Sequence, residues 1–419
     1  MQTDVAVIGG GVGALRAAQK CAKSGIGKVT LCMANPFLEL PFTGCDVLLN
    51  PELHPRFVCP NPEDFKIKGV DYIFDVVIDI DAQAKVIRFD TKPELSYKVV
   101  IVATGSKLPL IAPKPGDSLE QRVKEVQQVA AAIDAAQTVV VNGAGLIGVE
   151  LVGDIRAKDP KKRVVLISRD GRVLGSTHPP EWQERVKKRL AKRNVEVVTG
   201  AVPKGVLGGG LEPSFTAGSV QLETGELVSY DVFLPSFAQG PNTEFLQRSG
   251  VLNERGQIKV NNCLQCTDHP EIFGVAVTTV PPNGHPVSMM VGAQAETCAQ
   301  NAKLFLNGKK LVPSTQKGLA RPMNVKIGSG PGGFLIWDTE MLPCPMKLLC
   351  CVPCGGFPCC PPPCCWCGPG CSTCLGNCCG PVEGEGGARL FPGFLLPKAA
   401  APNLGFKGMG KPAQQVMAP

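Results

Sequence analysis

The 419-residue chain has no apolar run of about 18 residues, the length that a membrane-spanning helix needs, so we expect no transmembrane helix. Charged residues make up only 19% of the chain, and the net charge of +7 is too mild to indicate nucleic-acid binding. The N-terminus enters a predicted strand at once, which leaves no room for a signal or transit peptide. The sequence leaves the compartment open, and we expect the cytoplasmic face of a membrane or an organelle interior, without secretion.

Cysteine is scarce wherever a core could form. Only seven of the twenty cysteines lie in the first 340 residues, and thirteen lie between Cys344 and Cys379. They therefore belong to a tail and do not form a disulfide scaffold for the core. The tail is also rich in proline and glycine, and we expect it to be irregular and largely disordered.

Some tail cysteines have the two-residue spacing of metal ligands. The pairs are Cys351 and Cys354, Cys364 and Cys367, and Cys371 and Cys374. Neighbouring cysteines make several registers equivalent, which argues against one zinc site, so we predict no metal site. S-acylation with peripheral membrane contact, or a redox-sensitive tail, is favoured.

Two stretches share the pattern of a valine-rich strand, a glycine turn and an apolar helix start. They are DVAVIGGGVGALRAA (4–18), with Gly9-x-Gly11-x-x-Ala14, and TVVVNGAGLIGVELV (138–152), with Gly143-x-Gly145-x-x-Gly148. Such a turn brings backbone N–H groups close to a pyrophosphate, and the helix N-terminus favours its negative charge. One match is weak because glycines also serve plain turns, whereas two such matches predict two dinucleotide sites.

The predicted fold is α/β, with two Rossmann-type dinucleotide-binding domains, the second inserted into the first, a C-terminal hairpin and a Cys/Pro/Gly-rich irregular tail. The predicted boundaries are 1–115 with 258–317 for the first domain, 116–257 for the second, 318–342 for the hairpin and 343–419 for the tail. Each domain is expected to include an antiparallel excursion. The excursions are Tyr72–Ile80, Lys85–Phe89 and Tyr97–Ala103 in the first domain, and Ser219–Leu222, Glu226–Val228 and Val232–Phe237 in the second.

Basic residues cluster at 156–163 and again at 185–193. We interpret them as a solvated helix face. Phosphate steering and contact with an anionic membrane surface are the alternatives.

A third marker, Val100-Ile-Val-Ala-Thr-Gly-Ser106, lies between the two glycine turns. With it, residues 1 to about 340 resemble the two-dinucleotide flavoproteins of the pyridine-nucleotide oxidoreductase superfamily. The resemblance is strongest to the apoptosis-inducing-factor-like branch with its ferroptosis-suppressor type of NAD(P)H:quinone reductase, and looser to type II NADH dehydrogenases. It implies FAD in the first site, NADH or NADPH in the second, and a quinone-like small molecule as electron acceptor.

The resemblance also implies which residues contact each cofactor. For FAD they are Gly9, Gly11, Val12, Gly13, Ala14, Cys32, Val77, Thr104, Gly105 and Val277. For NADH or NADPH they are Gly143, Gly145, Leu146, Ile147, Gly148, Ser168 and Arg169.

Two positions where the family has carboxylates differ in this chain. Cys32 stands where an acid should hold the adenosine ribose, with Glu39 as a nearby substitute. Val277 stands where a Gly-Asp pair should orient the flavin, and a valine side chain cannot accept a hydrogen bond. Backbone amides near Thr278 and Thr279 would have to serve instead, so tight FAD binding is in question.

The second unit's partner strand ends in Ser168-Arg169 where a carboxylate is usual. An arginine there suits a 2′-phosphate, with Arg172 assisting, so NADPH is at least as plausible as NADH. The alternative is an exposed arginine at the end of a strand.

Other residues allow two interpretations each. For Glu150 a catalytic role beside the flavin is favoured over stabilisation of the helix start. For Cys45 a chance placement is favoured over a redox role, and for His285 a surface turn is favoured over an acceptor site. Gln294 matches a quinone-site helix motif of type II dehydrogenases only in part.

We predict an NAD(P)H:quinone-type oxidoreductase. The alternative is a catalytically degenerate relative that serves as a structural or binding subunit of a larger complex, with weak or no FAD binding. The two missing carboxylates favour this alternative.

Overall fold

The computed structural model describes residues 1–39, 44–169, 171–175, 178–200, 212–279 and 291–314, and the backbone of three strands at 324–327, 334–337 and 382–385. The chain divides into two units. The first holds Met1–Gln127 and the described residues from Ala238 to 314, and the second holds Gln128–Phe237 with the three late strands. His285 and the cysteine pairs of the tail lie outside the described residues.

The first unit is formed by two separate parts of the chain. Its first part contains β1 (Val5–Ile8), α1 (Val12–Ser24), β2 (Val29–Met33), β3 (Leu38–Glu39), α2 (Gly44–Leu49), β4 (Val58–Cys59), α3 (Pro62–Phe65), β5 (Val70–Phe74), β6 (Val77–Asp81), β7 (Val86–Phe89), β8 (Leu95–Ser96), β9 (Val99–Val102) and the start of α4 (Leu119–Ala135). The second unit follows in the chain with β10 (Thr138–Asn142), α5 (Leu146–Lys158), β11 (Arg163–Ser168), α6 (Pro180–Lys192), β12 (Val195–Thr199), β13 (Gly218–Gln221), β14 (Leu227–Tyr230) and β15 (Val232–Pro235). The chain then returns to the first unit with β16 (Ile272–Gly274) and α7 (Val291–Leu306). Last come β17 (Asn324–Ile327), β18 (Phe334–Trp337) and β19 (Val382–Glu385), which belong to the second unit.

The first unit is built on a five-stranded parallel sheet in the order β16-β9-β1-β2-β5. Its central strands read VAVI, VTLCM and VVIV and are buried along their whole length, as expected for strands covered on both faces. Helices α1 and α7 pack on one face, and the antiparallel sheet β6-β7-β8 covers the other. Because the strands are parallel, their carboxyl ends lie at the same edge of the sheet, where α1 begins after β1.

The predicted antiparallel excursion of this unit is correct only in part. Its first run divides at Asp75, whose carboxylate accepts the backbone N–H groups of Thr91 at 2.8 Å and Lys92 at 2.7 Å. The residues before this turn form β5, parallel to β2, and those after it form β6, antiparallel to β7. Strand β9 is also parallel, so only β6, β7 and β8 form the meander.

The second unit has a four-stranded parallel sheet in the order β12-β11-β10-β15. Among its described residues before Phe237, the antiparallel part is the pair β13–β14, with one further antiparallel bridge between Ser214 and Phe233. The prediction was wrong for the third run, because β15 is buried along its length and pairs parallel with β10.

The late strands form an antiparallel sheet. The predicted hairpin is present as β17 and β18. The tail was expected to be irregular, and this expectation is wrong at β19, which pairs antiparallel with β18.

Two members of the predicted basic face are buried and bind the backbone. Arg156 is 8% exposed and donates to the carbonyl of Arg193 at 2.7 Å. Lys162 is 4% exposed and donates to the carbonyls of Asp134 and Ala136 at 2.7 and 2.5 Å. The interpretation as a solvated face is therefore wrong for these two cations, which satisfy carbonyls at the ends of neighbouring segments.

Among the described residues, none of the helices has the length and apolarity needed to cross a bilayer.

Candidate functional site

The first glycine turn connects β1 to α1 and requires glycine at two positions. Gly9 has φ +135°, and a Cβ built on it would collide with the carbonyl oxygen of Ala103. A Cβ on Gly13 would lie 2.7 Å from Cγ1 of Val291 at the start of α7. The first glycine thus permits the tight turn, and Gly13 permits close helix packing.

Gly11 has a different role, because its backbone is ordinary and its surroundings are open. Its φ of −89° suits any residue, and a Cβ there would have no neighbour within 4 Å. It is the N-cap of α1, and within the described part of the chain no side chain caps this helix. The first-turn N–H groups of Val12, Gly13 and Ala14 lack helical acceptors, which suits a phosphate at this place.

The Ala103-Thr104-Gly105 turn is held by a segment from far along the chain. Thr104 Oγ1 donates to the carbonyl of Asn242 at 2.5 Å, and Asn242 Nδ2 donates back to the Thr104 carbonyl at 3.1 Å. The Asn242 N–H also donates to the Gly105 carbonyl at 2.9 Å. Sequence reasoning missed Asn242, although Gly240-Pro241-Asn242 has the composition of a turn.

Cys32 pairs with Ile8 inside the sheet and is 1% exposed. Burial raises the pKa of its thiol to about 12, so the side chain behaves as a small apolar group. Only its backbone takes part in the turn, since its carbonyl accepts the Gly9 N–H at 2.9 Å. The residue that ends β2 is Met33, whose Cε lies 3.3 Å from a Cβ built on Gly10.

Glu39 does not replace the missing ribose carboxylate, because both of its oxygens are already bound. Oε1 and Oε2 accept hydrogen bonds from Arg122, and Oε2 lies 3.1 Å from His54 Nε2. Val77 begins β6 opposite Phe89 and is half-buried.

The returning chain ends β16 in a short 3-10 turn, Ala276–Thr278. Ala276 has φ +56°, a left-handed conformation that favours glycine and costs an alanine about 1–2 kcal/mol. Val277 is half-buried at the position of the expected carboxylate. The amides of Thr278 and Thr279 donate to the carbonyls of Val275 and Ala276, so these amides already have partners.

In the second unit, β10 leads through Gly143 into α5. Gly143 has φ +115°, and a Cβ on Gly148 would collide with the Gly143 carbonyl oxygen. Gly145 is the N-cap of α5, and a Cβ there would meet nothing within 4 Å. Leu146 and Ile147 directly follow it as the first residues of the helix. Ser236, which sequence reasoning missed, donates to the Gly143 carbonyl at 2.7 Å.

The end of β11 presents arginines and no free hydroxyl. Ser168 is buried, and its hydroxyl donates to the Arg172 carbonyl at 2.8 Å. Arg169 and Arg172 are exposed beside it. Both arginines are therefore accessible to solvent at the position where the sequence predicts contact with a 2′-phosphate.

Glu150 is half-buried on α5, whose first turn contains no acidic residue. Stabilisation of the helix start by Glu150 is therefore weak, because that effect falls off within the first turn. Cys45 is buried in α2.

Gln294 is 1% exposed on α7 and accepts the Ala276 N–H at 2.7 Å through Oε1. Its Nε2 is buried and has no hydrogen-bond partner within the described part of the chain.

The residues present fit a flavin dinucleotide. Gly9 permits the tight turn, a Cβ on Gly11 would enter the open space at the start of α1, and Gln294 offers a buried donor that no described residue accepts. Among the described residues no group of acidic, histidine or cysteine side chains could hold a metal ion.

Comparisons with known proteins agree with this geometry. Residues 3–294 match the family described as pyridine nucleotide-disulphide oxidoreductases. The FAD-dependent oxidoreductase FVFD30 of Flammulina velutipes is 26% identical over 253 residues, which cover 59% of this chain and 76% of the relative. Ferroptosis suppressor protein 1 of Xenopus laevis is 24% identical over 268 residues, which cover 62% and 70%.

Among solved structures, the sulfide:quinone oxidoreductase of Aquifex aeolicus is similar with a TM-score of 0.62 at 17% identity, covering 82% of this chain and 85% of that one. At this identity the likeness shows the fold alone. The predicted superfamily and its cofactors, FAD with NADH or NADPH, are confirmed by the family match, and the predicted fold class is confirmed by the structural similarity. The protein is a flavin-dependent NAD(P)H oxidoreductase, and its chain belongs to the pyridine nucleotide-disulphide oxidoreductase family.

Proposed function

We propose that the protein passes electrons from NADH or NADPH to a quinone or a related small acceptor. The observation behind this proposal is that each unit has a glycine, Gly11 or Gly145, as the N-cap of the helix after its first strand, and a Cβ on either would meet nothing within 4 Å. Two such turns provide for two dinucleotides, as electron transfer between a nicotinamide and a flavin requires. The acceptor class is taken from the name of one structural relative, a sulfide:quinone oxidoreductase, and is an analogy at the level of the fold.

The flavin supplies the redox chemistry when it is bound. The residues of this chain would bind the two dinucleotides and orient them. The first turn of α1 and the Gly143–Gly145 turn before α5 would hold the pyrophosphates, and Asn242 fixes the Thr104–Gly105 turn of the first unit. Arg169 favours NADPH by offering a cation to a 2′-phosphate, and Glu150 stays a predicted catalytic residue.

The test is the absorption spectrum of purified full-length protein with and without added FAD, followed by oxidation of NADH and NADPH with a short-chain quinone. We expect flavin bands near stoichiometry and quinone-dependent oxidation of at least one nucleotide. Bound flavin without oxidation of either nucleotide by any quinone would contradict the proposed activity.

A second candidate is a degenerate relative that binds partners and does not turn over. Val277 favours it, because its side chain has no acceptor for a flavin hydroxyl. Protein that stays colourless after incubation with FAD would support this alternative and exclude the first.

A further inference from the structure

Two glutamine side chains bind the backbone of the segment Ala276–Thr279, which contains the missing carboxylate position. Gln294 Oε1 accepts the Ala276 N–H at 2.7 Å. Gln257 Nε2 donates to the carbonyl of Val277 at 3.3 Å and lies 3.5 Å from that of Thr279. The two amides therefore hold this segment from α7 and from the returning chain.

These contacts determine which way each amide points. A backbone N–H can only donate, so Gln294 must face Ala276 with its oxygen, and its Nε2 is left as the spare atom. Carbonyls can only accept, so Gln257 must face Val277 with its nitrogen, and Oε1 is spare. Both spare atoms are buried, and neither has a hydrogen-bond partner among the described residues. A buried polar group without a partner is costly and needs an explanation, which a ligand can supply.

The position of the segment indicates which ligand this is. A Cβ on Gly13 would meet Cγ1 of Val291, in α7, and Cγ1 of Val275, which directly precedes Ala276. The first glycine turn, the start of α7 and this segment thus converge. The spare donor of Gln294 therefore lies one turn into a helix that packs against the first glycine turn.

We propose that the amides of Gln294 and Gln257 replace the carboxylate absent at Val277, with Gln294 Nε2 donating to an oxygen of the bound flavin and Gln257 Oε1 accepting from one of its hydroxyl or N–H groups. This inference rests on the proposed function, because it requires FAD in the first site. An amide pair is neutral and offers a donor, whereas a carboxylate is anionic and only accepts. The flavin of this protein is therefore held without a negative side chain at this position.

The test compares Gln294→Glu and Gln294→Met with the wild-type full chain and with Gln300→Glu. Gln300 is exposed on the same helix, so its variant introduces the same new carboxyl group away from the segment. Gln294→Glu keeps the acceptor for Ala276 and removes the amide donor, and Gln294→Met removes both. Protein stripped of FAD is titrated with FAD at pH 8, and the midpoint potential of the rebound flavin is measured.

We expect both Gln294 variants to weaken FAD binding by roughly tenfold or more. We also expect a more negative flavin potential in both, because the donor no longer stabilises the charge of the reduced flavin. Gln300→Glu should match the wild type in both measurements. Thermal unfolding of each flavin-free protein identifies a variant that fails to fold. In that case the other Gln294 variant tests the inference.

Wild-type affinity and potential in Gln294→Glu, with a loss in Gln294→Met, would mean that Gln294 only supports Ala276 and would overturn the inference. Unchanged values in both variants would overturn it as well. A wild-type protein that binds no FAD would instead contradict the assignment of FAD, on which this inference rests. Failure of the inference and failure of the proposed function are therefore distinguishable.

Discussion

Arg122 and Glu39 form a buried ion pair between residues 83 positions apart in the chain. Arg122 Nη2 lies 2.8 Å from Glu39 Oε1, and Nε lies 3.0 Å from Oε2, with side chains 0% and 2% exposed. His54 contacts the same carboxylate, and Glu125 lies 2.7 Å from Arg122 Nη1. Replacing Arg122 would leave Glu39 as a buried charge without its main counter-charge.

We predict that Arg122→Met lowers the free energy of unfolding by about 3–5 kcal/mol. Lys124→Met on the same helix should cost less than about 1 kcal/mol, because Lys124 and its partner Glu120 are exposed. Urea denaturation followed by circular dichroism measures both. The double variant Glu39→Met/Arg122→Met should regain most of the loss, and a loss as large as in the single variant would contradict the ion-pair explanation.

The same pair predicts a pH dependence. Burial alone would raise the pKa of Glu39, but hydrogen bonds from His54 and Arg122 outweigh it and hold the pKa below its ordinary value of 4.5. A depressed pKa stabilises the fold above the ordinary value, and this stabilisation is lost as the pH falls through the lower folded value. The stability gap between wild type and Arg122→Met should therefore be full at pH 6 and narrow below about pH 4.5. A gap that stays constant to pH 3 would exclude Glu39 as its source.

Two glycines of the second turn allow a matched pair of variants, because Gly145 has open space around it and Gly148 is tightly packed. Gly145→Ala meets nothing within 4 Å and has an ordinary φ of −75°, so thermal stability should change by less than about 1 kcal/mol. Its methyl group should still weaken NADH and NADPH binding by roughly tenfold, because it occupies the approach of the pyrophosphate. Gly148→Ala should instead destabilise the unit by about 1–3 kcal/mol, since its methyl group meets the Gly143 carbonyl. Unimpaired nucleotide titration of Gly145→Ala would show that this turn does not bind the nucleotide.

The exposed arginine at the end of β11 predicts a nucleotide preference. Arg169→Gln should weaken NADPH binding by roughly tenfold and leave NADH binding unchanged, because only NADPH has the 2′-phosphate. Arg163→Gln, at the other end of β11, is the control. Fluorescence titration with both nucleotides measures the effect. Equal losses for NADH and NADPH would mean that Arg169 acts on the fold or on the pyrophosphate.

Ala276 predicts a variant that stabilises the protein. Its φ of +56° costs an alanine about 1–2 kcal/mol, and glycine avoids this cost while adding about 0.4–1 kcal/mol of unfolded-state entropy. Ala276→Gly should therefore raise the free energy of unfolding by about 0.5–1 kcal/mol. Ala293→Gly, exposed on α7, should lower it by about the same amount, because glycine is unfavourable in a helix. If both variants destabilise the protein alike, Ala276 is not strained.

Elements with a strong local pattern could be predicted from the sequence almost to the residue. The bounds of α1 follow from its glycine turn, and those of β11 and β12 follow from β-branched runs. The turns at Gly9 and Gly143 could be located for the same reason, since both glycines have a positive φ between a strand and a helix. Contacts made by tertiary packing left no local signal. Asn242 binds Thr104 across 138 positions, and Arg122 takes the carboxylate of Glu39 that the sequence offered to a ribose.

The last prediction separates the amide inference from the degenerate alternative. If the amides of Gln294 and Gln257 already hold the flavin, Val277→Asp should not tighten FAD binding, because no polar contact is missing. Its carboxylate should make the flavin potential more negative by repelling the charge of the reduced flavin, whereas Val277→Asn, neutral and of the same shape, should leave the potential near the wild-type value. If the protein has lost its flavin site, Val277→Asp should instead restore an acceptor and tighten FAD binding by tenfold or more, roughly the effect of one charged hydrogen bond. FAD titration of the wild type and both variants decides between the two, because the expected changes in affinity differ.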